Sequence, residues 1–479
     1  MLGANLILAI IFIPVLGAFF LPLIGRFSSR LRNLISLLLV VISLVLSCKL
    51  ASIVLSGATI TIIKHFPLGL NFTLTADCLA VFMAITSSFI GAVILLYSFG
   101  YISHYENQSE YYLLVVLFLG SMMGIIFSQN LIFLYLFWEL TAVVSWRLIG
   151  FFRKPLDILR ADKAFLITVF GALVMLLGFI SLYQEVGSFD LTVIREVLQS
   201  RPLSNITVLL ILFGIFAKSA TLPLHTWLPD AGVAPSPVTA LLHAAVLVKI
   251  GVYVYARIFI ASLNIEQIWH IIIPALACLS AIVSGFAALV ETDLKRIIAY
   301  STVSQIGFIF FGFSIGNEFG VAGGLLYILM HGLAKAGLFL CAGIVEQNTK
   351  IKDVTKLGGL IKTMPFTAIA FLFCSLSVMG VPPFGGFFSK FLLFLSTAKN
   401  GQWGLTFAFL AAAVLTVLYL LRAFNLVFLG EEKSEAKEGS PIMVFSVVLL
   451  ALLSLAGGVL IKYPLDFVIS AVKQMLGVA

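Results

Sequence analysis

Titratable side chains occur inside several long apolar segments of this chain. Lys218 lies in LFGIFAKSATLPLHTWLPDAG, where an apolar run carries an amine and then breaks at Pro223. A charge at the centre of a bilayer is costly, so such residues usually mark ion or substrate pathways. Burial disfavours the charged form of a lysine, whereas a nearby carboxylate favours it. Movement of Glu139, also in an apolar run, relative to Lys218 would therefore load or release a proton.

The titratable residues fall at similar depths in their predicted helices. With a helical rise of ~1.5 Å per residue, Glu139 lies roughly 12 Å into its span, and Lys218 and Lys249 lie roughly 18 Å into theirs. The spans that carry these groups therefore place them near one layer of the membrane. The residues of this layer are Glu139, Lys218, Lys249, His331, Lys335 and Lys390.

The composition identifies the elements that must position this layer. Hydrophobic residues make up 61% of the 479 residues and charged residues only 10%, which excludes an ordinary soluble globular protein. Apolar stretches of the ~20 residues that a transmembrane helix needs recur from end to end, about fourteen in all. We predict an all-α polytopic membrane protein with about fourteen transmembrane helices and a single transmembrane domain over residues 1–479.

Two of the predicted spans, the seventh and the twelfth, are interrupted. Thr221–Pro223 follows Lys218, and Gly380–Gly386 precedes Lys390. Proline removes an amide donor and breaks the helix, and broken helices at membrane depth require protein or water partners for the freed carbonyls. The lysine precedes one break and follows the other, and the spans lie five apart, so they cross the bilayer in opposite senses. This arrangement predicts an inverted repeat.

We accordingly predict two inverted five-helix repeats, approximately 111–262 and 270–429. The net charge of +8 resides largely in short loops after odd-numbered spans. By the positive-inside rule these loops are cytoplasmic and both termini are extracytoplasmic. The basic charge therefore indicates orientation in a lipid bilayer and not binding to nucleic acid. We expect this bilayer to be the prokaryotic cell (inner) membrane.

Four segments resemble one known family over about spans three to thirteen: FWELTAVVSW, PLHTWLPDAGVAPSPVTALLHAAVLVKIGVYVYAR, HGLAKAGLFLCAG and GVPPFGGFFSK. The chain resembles the antiporter-like subunits of respiratory complex I, Mrp sodium/proton antiporters and membrane-bound hydrogenases. VKIGVY makes it most similar to the Mrp D type. The resemblance implies a central proton pathway and adds His243 to the layer. The implied pathway residues are Glu139, Lys218, Lys249 with His243, and Lys390, with His331 and Lys335 as linkers.

The resemblance also implies the biochemical setting. It predicts a proton-translocating subunit, with Na+/H+ antiport as a further possibility, in a complex with other membrane subunits. No ligand spacing for a redox centre occurs in the sequence, so we expect no cofactor and no hydrolytic centre in this chain. Flavin, iron–sulfur or nickel–iron groups would reside in partner subunits of a redox-driven complex.

Other interpretations of the same residues remain open. Lys218 and Glu139 can form a structural ion pair that never titrates, and Lys249 and Lys390 can be structural donors to freed carbonyls. The mid-span histidines can be ordinary core residues. For the whole chain, the alternatives are a stand-alone secondary transporter of an organic solute and a membrane enzyme or haem protein.

Overall fold

The structure, a computed structural model, describes residues 2–65, 71–199, 201–433 and 436–477. Nearly all regular structure in these ranges is helical. The helices of the first half are α1 Leu2–Phe27, α2 Ser29–Val54, α3 Cys78–Tyr101, α4 Gln108–Phe127, α5 Leu131–Ile149, α6 Pro155–Val186, α7 Leu191–Val197, α8 Asn205–Ser219, α9 Trp227–Asp230, α10 Ser236–Ala240 and α11 Leu247–Tyr255. Those of the second half are α12 Trp269–Val290, α13 Leu294–Ile315, α14 Glu318–Thr349, α15 Pro365–Met379, α16 Gly385–Lys399, α17 Trp403–Phe428, α18 Pro441–Val459 and α19 Lys462–Leu476.

The polytopic helical architecture predicted from composition is confirmed. Among the described residues, 12 helical stretches are long and apolar enough to cross a membrane. The seventh and twelfth predicted spans instead contain the shorter apolar helices α8 and α15. The count of fourteen is therefore not confirmed, because two of the predicted spans are built from shorter pieces.

Both predicted helix breaks are present. α8 ends at Ser219, and Ala220 adopts a left-handed conformation with φ of 52°. α15 ends at Met379, and Gly380 adopts the same region with φ of 85°. Glycine enters this region without steric cost, whereas alanine does not, so surrounding packing must hold Ala220 in place. Each break leaves helix-terminal carbonyls at membrane depth.

The eighth span is less regular than the continuous helix predicted over 237–262. A π-helical turn at Leu241–Ala245 separates α10 from α11, and a second one at Ala256–Ile260 follows α11. Such turns widen the helix and leave carbonyls out of the normal ladder, and they occur frequently at functional sites. The apolar pattern of the sequence continues through both turns and does not indicate them.

A two-stranded antiparallel hairpin adds to the helical fold. β1 (Ile60–His65) pairs with β2 (Asn71–Ala76). Asp77 then caps α3 by accepting a hydrogen bond from the amide of Ala80 at 2.8 Å, and it also forms a buried ion pair with Arg257. The hairpin is thereby tied to the far end of the eighth span.

The core lies around three spans whose residues are almost all buried. These are the eighth span, Ser236–Ile260, together with α13 and α14. By contrast, fewer than half of the residues in the most apolar stretch of each of α1, α2, α6, α17 and α18 are buried, as expected for helices that face lipid. The predicted layer residues Lys249, His331 and Lys335 lie on the buried spans.

Candidate functional site

Glu139 and Lys218 approach each other beside Trp138. Lys218, in the last turn of α8, donates from Nζ to the Trp138 carbonyl of α5 at 3.2 Å, and its Nζ lies 5.3 Å from the centroid of the Trp138 ring. Glu139 Oε1 is buried and lacks a hydrogen-bond partner within the described residues. Among the described residues, no ion pair within 4.0 Å joins these two side chains. The side chains of Glu139 and Lys218 therefore lie near each other without forming a direct ion pair.

Lys249 and His331 form the most direct contact of the layer. Nζ of Lys249 lies 2.5 Å from Nδ1 of His331 and 3.2 Å from the carbonyl of His243, which the first π-helical turn carries. An ammonium only donates, so a charged Lys249 requires a neutral His331 that accepts at Nδ1. The two bases thus hold one proton between them more readily than two.

The side chain of His243 does not share this contact. Both of its ring nitrogens are buried without a hydrogen-bond partner among the described residues, and its ring lies 4.4 Å from that of Phe339. The resemblance predicts that His243 acts with Lys249. The structure places its carbonyl, and not its imidazole, against the lysine.

The remaining two lysines are held by helices of the second half. Nζ of Lys335 donates to Ser301 Oγ at 2.5 Å and to the Ile298 carbonyl at 3.1 Å. Nζ of Lys390 donates across the second helix break to the Val378 carbonyl at 2.8 Å. Each lysine therefore reaches a neighbouring helical element and lies in the protein interior.

Four uncharged residues connect these two lysines, and we call them the hydroxyl–amide chain: Ser301, Gln305, Tyr327 and Tyr419. The hydroxyl of Tyr327 donates to Gln305 Oε1 at 2.6 Å, Gln305 Nε2 donates to the Tyr419 hydroxyl at 3.2 Å, and that hydroxyl donates to Ser301 Oγ at 2.9 Å. Sequence reasoning missed all four, because serine, glutamine and tyrosine within apolar helices carry no charge to single them out.

Polar cavities lie at the two opposite ends of α3. One of about 460 Å³ includes Tyr101, Lys295 and Glu346 in its wall, and Lys295 pairs with Glu346 at 2.6 Å. The other, of about 190 Å³, is bounded by the hairpin, Asp77 and Arg257. The buried layer lies on spans that run between these ends.

Asp77 at the second cavity illustrates how charge is accommodated outside the spans. Burial would raise the pKa of this carboxyl, but the charge and hydrogen bonds of Arg257, together with the Ala80 amide, outweigh burial and hold the pKa below its usual value. Among the described residues, no group of three or more His, Cys, Asp or Glu side chains is arranged to hold a metal ion.

Comparisons with known proteins agree with this architecture. The family model described as NADH:quinone oxidoreductase/Mrp antiporter, TM matches residues 128–416, more than half of the chain. The model described as NADH-Ubiquinone oxidoreductase (complex I), chain 5 N-terminus matches residues 63–112.

Curated relatives include components of Na(+)/H(+) antiporters from two bacteria. The A1 component of the Staphylococcus haemolyticus antiporter is 34% identical over 483 residues, covering 94% of this chain and 60% of the relative. The A1 component of the Staphylococcus aureus antiporter is 34% identical over 488 residues, covering 94% of this chain and 60% of the relative. The chain thus spans less than two thirds of the length of these relatives, and both bear the designation A1, not that of the D type.

Two solved structures share the fold. A chain of the Mrp complex from Dietzia sp. DQ12-45-1b superposes with a TM-score of 0.90 at 20% identity, covering 99% of this chain and 98% of that one. A chain of the membrane-bound sulfane sulfur reductase, an archaeal respiratory membrane complex, superposes with a TM-score of 0.91 at 24% identity, covering 98% and 97%. With the family match over its central spans, the chain belongs to the NADH:quinone oxidoreductase/Mrp antiporter membrane family.

Proposed function

We propose that this chain is a proton-translocating, antiporter-like subunit of a multi-subunit membrane complex. The observation that carries the proposal is the 2.5 Å contact between Lys249 and His331, two titratable side chains on almost wholly buried spans. A buried pair of bases serves proton transfer because each can take the proton that the other releases. Family membership and relatives named as components of Na(+)/H(+) antiporters support the same function.

The layer residues take distinct roles in this proposal. Glu139 controls the charge of Lys218 by approaching or leaving it, because a nearby carboxylate favours the charged amine. Lys249 and His331 exchange a proton at the centre, with His243 beside them. The path then leads through Lys335 and Lys390 in the second half. Support comes from the burial of all four lysines.

The biochemical setting belongs to the same proposal. Partner membrane subunits supply the driving force, either as an opposing Na+ gradient or as redox chemistry on flavin, iron–sulfur or nickel–iron groups that they hold. The basic loops after odd-numbered spans support a cytoplasmic position for these loops and an extracytoplasmic one for both termini. The repeats at 111–262 and 270–429 and the preference for the Mrp D type remain predictions.

Transport by the native complex in sealed vesicles tests the function. We expect Lys218→Ala to abolish proton transport while the complex stays assembled. Lys218→Arg keeps the positive charge but holds its proton permanently, so we expect it to be inactive as well. Lys399→Ala, at the end of α16 against the Phe319 ring, is the matched control and retains transport.

The outcomes separate the possible roles of Lys218. An active Lys218→Arg variant shows that the residue supplies charge only and never releases its proton. Unchanged transport in Lys218→Ala overturns the proposed pathway. Measuring Na+ and H+ fluxes in the same vesicles decides whether Na+ is exchanged.

A further inference from the structure

The hydroxyl–amide chain lies between Lys335 and Lys390 and connects them through a series of hydrogen bonds. Lys335 contacts Ser301 at one end. At the other end, the Val378 carbonyl accepts from Lys390 at 2.8 Å and lies 3.4 Å from the Tyr327 hydroxyl. The four chain residues are completely buried, so water does not compete freely for these groups.

All donors in the chain point the same way. Tyr327 donates to Gln305, Gln305 donates to Tyr419, and Tyr419 donates to Ser301. The positive ends of these dipoles therefore face Lys335, and the negative ends face Lys390. This orientation favours a neutral Lys335, whose amine can accept a hydrogen bond from Ser301, and a charged Lys390 on the Val378 carbonyl.

The same groups can also form the opposite orientation. If the Gln305 amide turns over, its oxygen accepts from Tyr419 and its nitrogen donates to Tyr327. Tyr327 is then free to donate to the Val378 carbonyl, where it competes with Lys390, while a charged Lys335 donates to Ser301. Hydroxyl groups can serve as donor or acceptor, but an amide must rotate to exchange its two roles. Gln305 therefore determines which orientation the chain adopts.

We propose that Gln305 is a positioning residue whose amide orientation couples Lys335 to Lys390, so that the positive charge occupies one of the two lysines at a time. The inference rests on the proposed proton pathway and names a component of it. An amide does not readily relay a proton, so no proton crosses Gln305. The protonation state of one lysine reaches the other as a reversal of hydrogen bonds.

Transport by vesicles carrying the native complex also tests this inference. Gln305→Met keeps the length of the side chain but removes the amide and its hydrogen bonds, including those to Tyr327 and Tyr419, and Tyr419→Phe removes one hydroxyl. We expect each to lower proton transport by about fivefold or more, the factor expected for loss of one buried hydrogen bond. The double variant should be no slower than the slower single variant, because one break already disconnects the chain.

A matched control and a rescue distinguish coupling from simple packing. Tyr255→Phe removes the hydroxyl of a fully buried tyrosine that has no hydrogen-bond partner among the described residues, and it should transport normally. Ser301→Ala should be slow and Ser301→Thr should recover, because threonine restores the hydroxyl. If Gln305→Met prevents assembly, Tyr327→Phe provides a milder break of the same chain.

The results separate this inference from the proposed function. Wild-type transport in Gln305→Met and Tyr419→Phe, with transport lost in Lys218→Ala, overturns the coupling role and leaves the pathway intact. Wild-type transport in Lys218→Ala overturns the pathway itself. Equal losses in Tyr255→Phe and Tyr419→Phe, or failure of Ser301→Thr to recover, assign the chain to packing and overturn the inference.

Discussion

All four lysines of the buried layer share one feature, a hydrogen bond from Nζ to a main-chain carbonyl. The acceptors are Trp138 for Lys218, His243 for Lys249, Ile298 for Lys335 and Val378 for Lys390. An ammonium has three donors, so one carbonyl alone leaves a charged lysine undersatisfied. Two of these carbonyls lie at a π-helical turn or a helix break, so the lysines also brace irregular backbone. A structural role therefore accompanies the proposed proton-carrying role, and each variant requires a check of assembly.

His331 offers the clearest residue-level prediction. His331→Leu removes the acceptor from Lys249, and His331→Gln keeps an acceptor oxygen but takes up no proton. We expect both to lower proton transport by roughly a hundredfold, the contribution of a positioned acid–base group. The measurement is proton uptake by vesicles that contain the assembled complex.

A second histidine provides the control for this experiment. His270 lies at the start of α12, where Nδ1 contacts the Ser314 carbonyl at 2.9 Å, away from the layer. His270→Gln should therefore leave transport unchanged. Normal rates in His331→Gln, with loss in His331→Leu, would reduce His331 to a hydrogen-bond acceptor.

The sequence identifies charged members of the layer but not their uncharged connectors. Lys249 and Lys335 stand out because a charge in an apolar helix is costly. Gln305 and Tyr419 carry no such signal, since polar uncharged residues are common in transmembrane helices and only three-dimensional packing shows which of them meet. The 2.5 Å contact of Lys249 with His331 likewise depends on the packing of two separate spans.

At the scale of elements, proline and glycine signals succeed where apolar periodicity fails. The breaks after Ser219 and Met379 follow from Pro223 and the Gly380–Gly386 segment. The π-helical turns have no such signal, because their backbone differs from an α-helix while their composition does not. The segment that forms the β1–β2 hairpin lies between spans and mixes polar and apolar residues. Its composition does not indicate strands, so the hairpin is absent from the prediction.

The second break depends on close approach of main chain at Gly386. A Cβ added there would lie 1.8 Å from the carbonyl oxygen of Ser377, so Gly386→Ala forces α15 and α16 apart. We expect this to weaken the Lys390 contact with Val378 and to cost about 1–3 kcal/mol, as for other overpacked sites. The predicted outcome is a lower Tm of the purified complex together with reduced transport.

Gly404 supplies the matched control for this substitution. A Cβ at Gly404, in the first turn of α17, meets nothing within 4 Å, and alanine favours helix over glycine. Gly404→Ala should retain or raise Tm and leave transport intact. If Gly386→Ala behaves in the same way, close packing at the break does not hold Lys390 in place.

At the scale of the whole molecule, ion pairs join the two predicted repeats at one end of the bundle. Asp230, after the first break, accepts from Lys163 of α6 and from Arg296 of α13, both at 2.7 Å. Arg296 also pairs with Glu291 at 2.8 Å. Isolated surface pairs contribute little, but one carboxylate shared by two cations connects spans from both halves.

The charge of Asp230 makes this connection sensitive to acid. Burial would raise the pKa of Asp230, but hydrogen bonds and charges from Lys163 and Arg296 outweigh burial and lower it. The folded pKa therefore lies below the unfolded value, which is about 3.9. The stabilisation is fully present above that unfolded value and is lost as the pH falls through the folded one.

Asp230→Asn tests whether this connection stabilises the whole molecule. We expect the free energy of unfolding to fall by about 1–2 kcal/mol at neutral pH, because charged hydrogen bonds are replaced by weaker ones and Lys163 is partly exposed. The corresponding drop in Tm should shrink as the pH falls from roughly 4 through the lowered pKa of folded Asp230, where the wild-type carboxylate loses its charge. Asp162→Asn is the control for removal of a neighbouring charge. The Trp146 indole donates to Asp162 at 2.7 Å, and asparagine keeps an acceptor for this bond. A Tm difference that stays constant down to acid pH, or one that Asp162→Asn reproduces, would show that the ionised Asp230 does not hold the two halves together.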